Sequence, residues 1–149
     1  MQEAIGTPEY WDNRVKTSSD EMSMIMLDSR LPEYTKRVND VLSGWKDKKV
    51  MDVCCGYGRY SEHFKNYIGL DFSKEMIALA KKKYPDKDFF VKDGKDHRPG
   101  ELYDVVFEVN SLHSMGITEE DFYKLYKGCA SVVACLEMDK FTIFQNYGG

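Results

Sequence analysis

No stretch of this 149-residue chain approaches the roughly 20 apolar residues that a membrane span requires. Its first ten residues lack a basic start followed by an apolar run, so no secretory leader is read there. There is no Asn-x-Ser/Thr acceptor either. Cysteine is scarce: Cys54 and Cys55 are adjacent, Cys129 and Cys135 stand apart, and none has paired C-x-x-C spacing. That pattern excludes a disulfide framework and a zinc ribbon, leaves no metal site to expect, and suggests a reducing, cytoplasmic setting. A basic excess is missing too. Twenty-one Lys and Arg against twenty-five Asp and Glu give a net charge of −4. Such a balance argues against a surface built to neutralise a phosphate backbone, which demotes nucleic acid as a partner. Repeats and low-complexity segments are absent beyond Lys81-Lys82-Lys83, which reads as a solvated helix face.

What remains is a composition suited to one folded domain over residues 1–149. Apolar residues make up 42% and aromatics 13%, too rich for disorder. A chain of this size buries roughly 68–70% of its unfolded surface, so one core suffices. Residues 1–48 read as an N-terminal helical cap and 49–149 as a sheet core. In the cap, Ser18-Ser19-Asp20-Glu21 has capping-box spacing before a mostly apolar short helix. The Met22, Met24 and Met26 stripe there fits core or interface, or a flexible wall for a hydrophobic ligand. Pro32 fits a helix start, with Tyr34, Val38, Val41, Leu42 and Trp45 on one face and Gly44 as terminator.

From residue 50 strands and helices alternate. Strands are expected at 50–54, 67–70, 88–91, 103–109, 131–138 and 141–147, with helices at 59–65, after Ser73 and after Thr118. The alternation implies a doubly wound, Rossmann-like α/β sheet, mostly parallel, with helices on both faces. A two-residue turn at Asp139-Lys140 would make the last strand antiparallel to the fifth. Ligands in such sheets sit outside the carboxyl ends of the strands, at the switch point beside the first.

The chemistry gathers there. Asp52-Val53-Cys54-Cys55-Gly56-Tyr57-Gly58 turns from strand to helix, and Asp71 follows Asp52 by nineteen residues at the end of the second strand. Glycines in such a turn let the backbone approach a ligand, and an acid at the second strand end can accept from ribose hydroxyls. Asp93 ends the third strand, within reach of an adenine edge. The same residues roughly fit a dinucleotide fingerprint. Against that reading stand the acid inside the first strand, Ser61 at the third glycine position and the lack of a second nucleotide-binding half. Cys54 occupies the first glycine position of the turn, so no positive φ is expected at that residue.

At these residues the sequence resembles the class I S-adenosylmethionine-dependent methyltransferases, nearest to small-molecule and quinone C-methyltransferases. The resemblance covers roughly residues 10–138. The turn matches the family's D-x-G-x-G-x-G in all but one anchor. Tyr67-Ile68-Gly69-Leu70-Asp71-Phe72-Ser73 is similar to its ribose segment, and Tyr103-Asp104-Val105-Val106-Phe107-Glu108-Val109-Asn110-Ser111-Leu112-His113 to its fourth-strand motif. The resemblance implies S-adenosylmethionine as cofactor. It places Asp52, Cys54, Gly56 and Gly58 at the methionine end, Asp71 on the ribose, and Phe72 and Met76 by the adenine. Asp93 and Gly94 meet the adenine edge, and Glu108 lines the methyl region. Tyr10-Trp11-Asp12-Asn13-Arg14 resembles a segment that folds over the cofactor, which adds Trp11 and Arg14.

Family sheets have seven strands, and eleven residues follow Met138 here, so the strand at 141–147 is expected in the reversed strand's place. The implied reaction is methyl transfer by in-line displacement to a small-molecule acceptor, with His113, Asn110 and Tyr10 as the candidates for touching it. His113 could act as base, or simply start a helix. A protein or RNA methyltransferase needing a partner, and a cofactor-binding module without catalysis, are the competing readings. The exposed last strand allows a monomer or an edge-paired dimer.

Overall fold

Val50, Met51 and Val53 are fully buried because the strand that carries them has neighbours on both sides and helices on both faces. This strand, β1 (Lys49–Val53), leads a computed structural model that describes residues 6–18, 31–96 and 99–145. The other strands are β2 (Asn66–Asp71), β3 (Asp88–Val91), β4 (Tyr103–Val109), β5 (Ala130–Leu136) and β6 (Phe141–Gln145). They form one sheet in the order β3-β2-β1-β4-β5-β6. Every pairing is parallel except β5 with β6, which is antiparallel. The expected doubly wound, Rossmann-like α/β sheet is what forms. Its switch point lies between β1 and β4, where Val53 sits opposite Glu108.

Two helices cover one face. α2 (Pro32–Ser43) buries Tyr34, Val38 and Leu42, and α3 (Lys74–Lys83) buries Ile77 and Ala80, in one cluster with Val50, Phe89, Phe107 and Leu136. The opposite face takes α4 (Leu112–Met115) and α5 (Glu119–Tyr126) against Met51, Val106 and Val133. Period-two alternation along each strand sorts the side chains between these layers. Local caps match the sequence. Ser73 accepts from the Met76 N–H at the start of α3, and Thr118 forms a reciprocal capping box with Asp121 before α5.

Four local differences have physical reasons. α1 (Pro8–Thr17) is a full helix in the cap, signalled by Thr7 as N-cap and Pro8 at the first turn. The expected helix over 59–65 shrinks to a 3-10 turn, Ser61–His63, because β2 starts at Asn66 and leaves no room for a second turn. The β5–β6 connection spans residues 137–140 rather than two, with Leu136 opposite Phe141. Gly44 caps α2 with right-handed backbone, φ −69°. The expected helix at 22–27, with its capping box, lies outside the described residues. No helix among the described residues is long and apolar enough to cross a membrane.

Candidate active site

The β1 turn rises over the carboxyl end of the sheet by repeated left-handed steps. Cys54, Gly56 and Gly58 all have positive φ, at 63°, 59° and 84°. The expectation that Cys54 needs no positive φ is therefore corrected. The closure around it dictates the conformation: the Cys55 N–H donates to the Leu70 carbonyl at 2.8 Å, and the Gly58 N–H to the Cys55 carbonyl at 3.0 Å. A small side chain tolerates that backbone at a cost of about 1–2 kcal/mol. Gly58 is required twice over, because a Cβ there would come within 2.7 Å of the Phe89 ring. Gly56 has nothing within 4 Å of its Cβ position; it faces open space.

That space is an open cleft, whose empty volume of about 850 Å³ includes the solvent at its mouth. Asp71 and Asp52 form its acidic side. The Asp71 carboxylate accepts from the Gly56 N–H and the Ser73 N–H, both at 2.9 Å, and so ties the β1 turn to the β2 turn. Asp52 accepts from the Tyr67 hydroxyl at 2.7 Å. Burial pushes both acids up, Asp71 to about 6 and Asp52 to about 7. Hydrogen bonds from the backbone N–H groups and from Tyr67 oppose the rise, while the Asp71 charge adds to it at Asp52. A cation brought into the cleft would relieve it.

Phe72, Met76, Cys54 and Trp11 line the same cleft. Trp11 arrives on α1, which docks when Asp12 accepts from the Ser73 hydroxyl and the Glu75 N–H at the start of α3. Trp11 and Val15 then pack with Tyr57 and Met76. Arg14 and Tyr10 lie behind this wall, outside the lining, with Arg14 donating to the Tyr10 hydroxyl at 2.8 Å. Asn110 follows β4 in left-handed backbone, φ 51°, and lines the cleft beside Ser111. Glu108 is fully buried below them; its carboxylate accepts from the Ser111 N–H at 2.8 Å and the Ser111 hydroxyl at 3.0 Å.

Gly58 supports the turn from outside the lining, and three further predicted residues stand apart. His113 is exposed on α4 and does not line the cleft. The Asp93 carboxylate accepts from the Lys95 N–H at 2.9 Å, closing its own turn, and Gly94 packs where a Cβ would meet Val53 at 2.5 Å. Neither is in the lining. Conversely, Tyr57, Arg59 and Tyr60 line the cleft without having been singled out. Tyr60 falls on the inward face of the helix expected at 59–65; the 3-10 turn that forms there instead, Ser61–His63, has no local sequence signal. No group of three metal-ligating side chains exists among the described residues.

Known proteins resemble this chain in sequence and in fold. Demethylmenaquinone methyltransferase of Chlorobaculum tepidum is 28% identical over 109 residues, 66% of this chain and 45% of that protein. A Streptomyces venezuelae dTDP-3-amino-3,4,6-trideoxy-alpha-D-glucopyranose N,N-dimethyltransferase is 33% identical over 76 residues, 48% of this chain and 32% of its own length. The chain thus spans less than half the length of these two curated relatives. Magnesium protoporphyrin IX methyltransferase from Synechocystis, solved with bound SAM, shares the fold with a TM-score of 0.60 at 16% identity. That overlay covers 87% of this chain and 69% of the other. The model of the methyltransferase domain family matches residues 50–135, running from β1 through the glycine turn and Asp71 to β5. With more than half of its length so matched, this chain belongs to the methyltransferase domain family.

Proposed function

We propose that this domain transfers the methyl group of S-adenosylmethionine to a small-molecule acceptor by in-line displacement. The observation that carries the reading is Asp71: a buried carboxylate at the end of β2, held by two backbone N–H groups, facing a left-handed glycine turn across an open cleft. A carboxylate so placed accepts from vicinal ribose hydroxyls. Kinship supports it, since the relatives above are named for a quinone and an amino sugar and the structural neighbour holds SAM.

The residues present fit this ligand. Two acids with raised pKa values favour a molecule bearing a sulfonium and an ammonium. In this reading Asp52, Cys54, Gly56 and Gly58 border the methionine end, Asp71 holds the ribose, and Phe72 and Met76 flank the adenine. Asp93 and Gly94 shape the adenine-side loop, and Trp11, backed by Arg14, closes the outer wall. Glu108 fixes the turn that presents Asn110, which we place against the acceptor. His113 and Tyr10, outside the lining, would reach it only through other groups. Bound S-adenosylmethionine supplies an already electrophilic methyl group, so alignment and exclusion of water fall to the protein. Four free thiols suit a reducing cytoplasmic compartment, and the open β6 edge suits a monomer or an edge-paired dimer.

Titration calorimetry with S-adenosylhomocysteine tests the reading. Asp71→Ala should weaken binding about 10- to 100-fold, because charge-assisted bonds to two hydroxyls are lost. Phe72→Ala, which leaves the turn bonds intact, should weaken it several-fold. Unchanged affinity in both variants would remove the ribose and adenine from these positions, and no binding by the parent protein would end the proposal.

A further inference from the structure

Among the described residues that line the cleft, Arg59 is the only basic side chain, whereas Asp52 and Asp71 supply carboxylates. Its backbone is fixed on both sides. Gly58, immediately before it, sits where a Cβ would come within 2.7 Å of the Phe89 ring. Ser61, two residues on, is fully buried and donates its N–H to the Gly58 carbonyl at 3.0 Å, where the 3-10 turn begins. The half-buried guanidinium lies 4.7 Å from the centroid of the Tyr60 ring, a cation–π contact that steadies its planar fork on a ring that itself borders the cleft. Asp52 leads into the glycine turn and Arg59 leads out of it, so an acid and a base from the two ends of one short loop line the same cleft. With the acids ionised, two carboxylates and one guanidinium leave the lining net negative. S-adenosylmethionine, with a sulfonium, an ammonium and a carboxylate, is net positive and carries one anionic group for the one cation.

We propose that Arg59 receives the carboxylate at the amino-acid end of the cofactor and makes the site selective for an intact α-amino acid there. The inference rests on the methyl-transfer reading and adds to it a residue that sets ligand specificity. In an α-amino acid the ammonium and the carboxylate hang from one carbon, so recognition of both needs an acid and a base on the same short stretch of wall. Asp52 and Arg59 meet that need, while Asp71 serves the ribose. The guanidinium fork matches the two carboxylate oxygens with parallel N–H donors, and partial burial strengthens the attraction by limiting competition from water. A ligand that keeps the ammonium but lacks the carboxylate leaves Arg59 facing a like charge with no acceptor for its donors. Anchoring the far end of the chain also restricts rotation about the bonds that lead to sulfur, which helps to aim the methyl group.

The test is titration calorimetry on the whole chain with three probes. These are S-adenosylhomocysteine, S-adenosyl-3-thiopropylamine, which lacks only the carboxylate, and 5′-methylthioadenosine, which lacks the whole amino-acid end. The parent should bind S-adenosylhomocysteine about 10- to 100-fold more tightly than the decarboxylated probe. In Arg59→Gln that ratio should fall to within about twofold, while 5′-methylthioadenosine binds parent and variant alike. Arg59→Lys, which keeps the charge and loses the fork, should retain an intermediate ratio. A ratio near one in the parent, or the parent's ratio undiminished in Arg59→Gln, overturns the assignment while the cofactor site stands. Equal weakening of all three probes in both variants also overturns it, since that marks a structural role for Arg59. Failure of both S-adenosylhomocysteine and 5′-methylthioadenosine to bind the parent overturns the methyl-transfer reading and this inference with it.

Discussion

Burying Asp52 and Asp71 beside each other makes the ligand-free protein less stable in mild alkali than in mild acid. The sign follows from proton counting. Both folded-state pKa values lie above the ordinary 3.8, at about 7 and about 6. Between those values the folded chain holds more protons than the unfolded one, so stability falls as pH rises through the window from about 4 to 7. At about 1.4 kcal/mol per pKa unit, Asp52 accounts for about 4 kcal/mol and Asp71 for about 3 kcal/mol of the loss. Even half of that is large against the roughly 5–15 kcal/mol that holds a domain together. Urea unfolding of the ligand-free protein at pH 5 and pH 8 should therefore show a lower midpoint at pH 8. Asp52→Asn, which keeps an acceptor for the Tyr67 hydroxyl, should flatten the dependence and raise stability at pH 8 by several kcal/mol. A cationic ligand should reverse the trend, binding more tightly as pH rises and releasing protons near pH 6. Equal or higher stability of the parent at pH 8, or the same slope in the Asn variant, would refute the reasoning.

Other expectations follow from single contacts. Gly58→Ala meets both a positive φ and the Phe89 ring, and should lower the unfolding free energy by about 2–5 kcal/mol, whereas Gly56→Ala should cost only about 1–2 kcal/mol. Chemical denaturation of the two variants side by side checks the difference. Trp11 borders the cleft while Trp45 packs against Phe107, so S-adenosylhomocysteine should change tryptophan emission in the parent and not in Trp11→Phe. Thr118→Ala breaks the capping box at α5 and should cost about 1 kcal/mol in the same denaturation assay. His113→Ala is a surface change; calorimetry should find the S-adenosylhomocysteine affinity within twofold of the parent.

Strands were the most legible part of this chain. β3 and β4 begin and end where apolar runs meet polar loops, and the order of acids and glycines on successive strand ends marks the cleft. What escaped depends on closure rather than on local type. Cys54 looks incompatible with a glycine-like backbone, yet hydrogen bonds from its neighbour Cys55 over-determine the turn. Asp93 and Gly94 sit at the right strand end, but their polar groups are spent inside the loop, with the Gly94 carbonyl accepting from Tyr126. Tyr60 reads as core from its spacing, and nothing local marks its hydroxyl as unmet.

The pair of hydrogen bonds that Asp71 accepts from the Gly56 and Ser73 N–H groups has an evolutionary consequence. The same carboxylate that is suited to a ribose also bolts two loops of the sheet together. A descendant that abandoned the cofactor would still be held to an acid here by its own folding. Retention of Asp71 in such a lineage is thus a mark of ancestry rather than of activity.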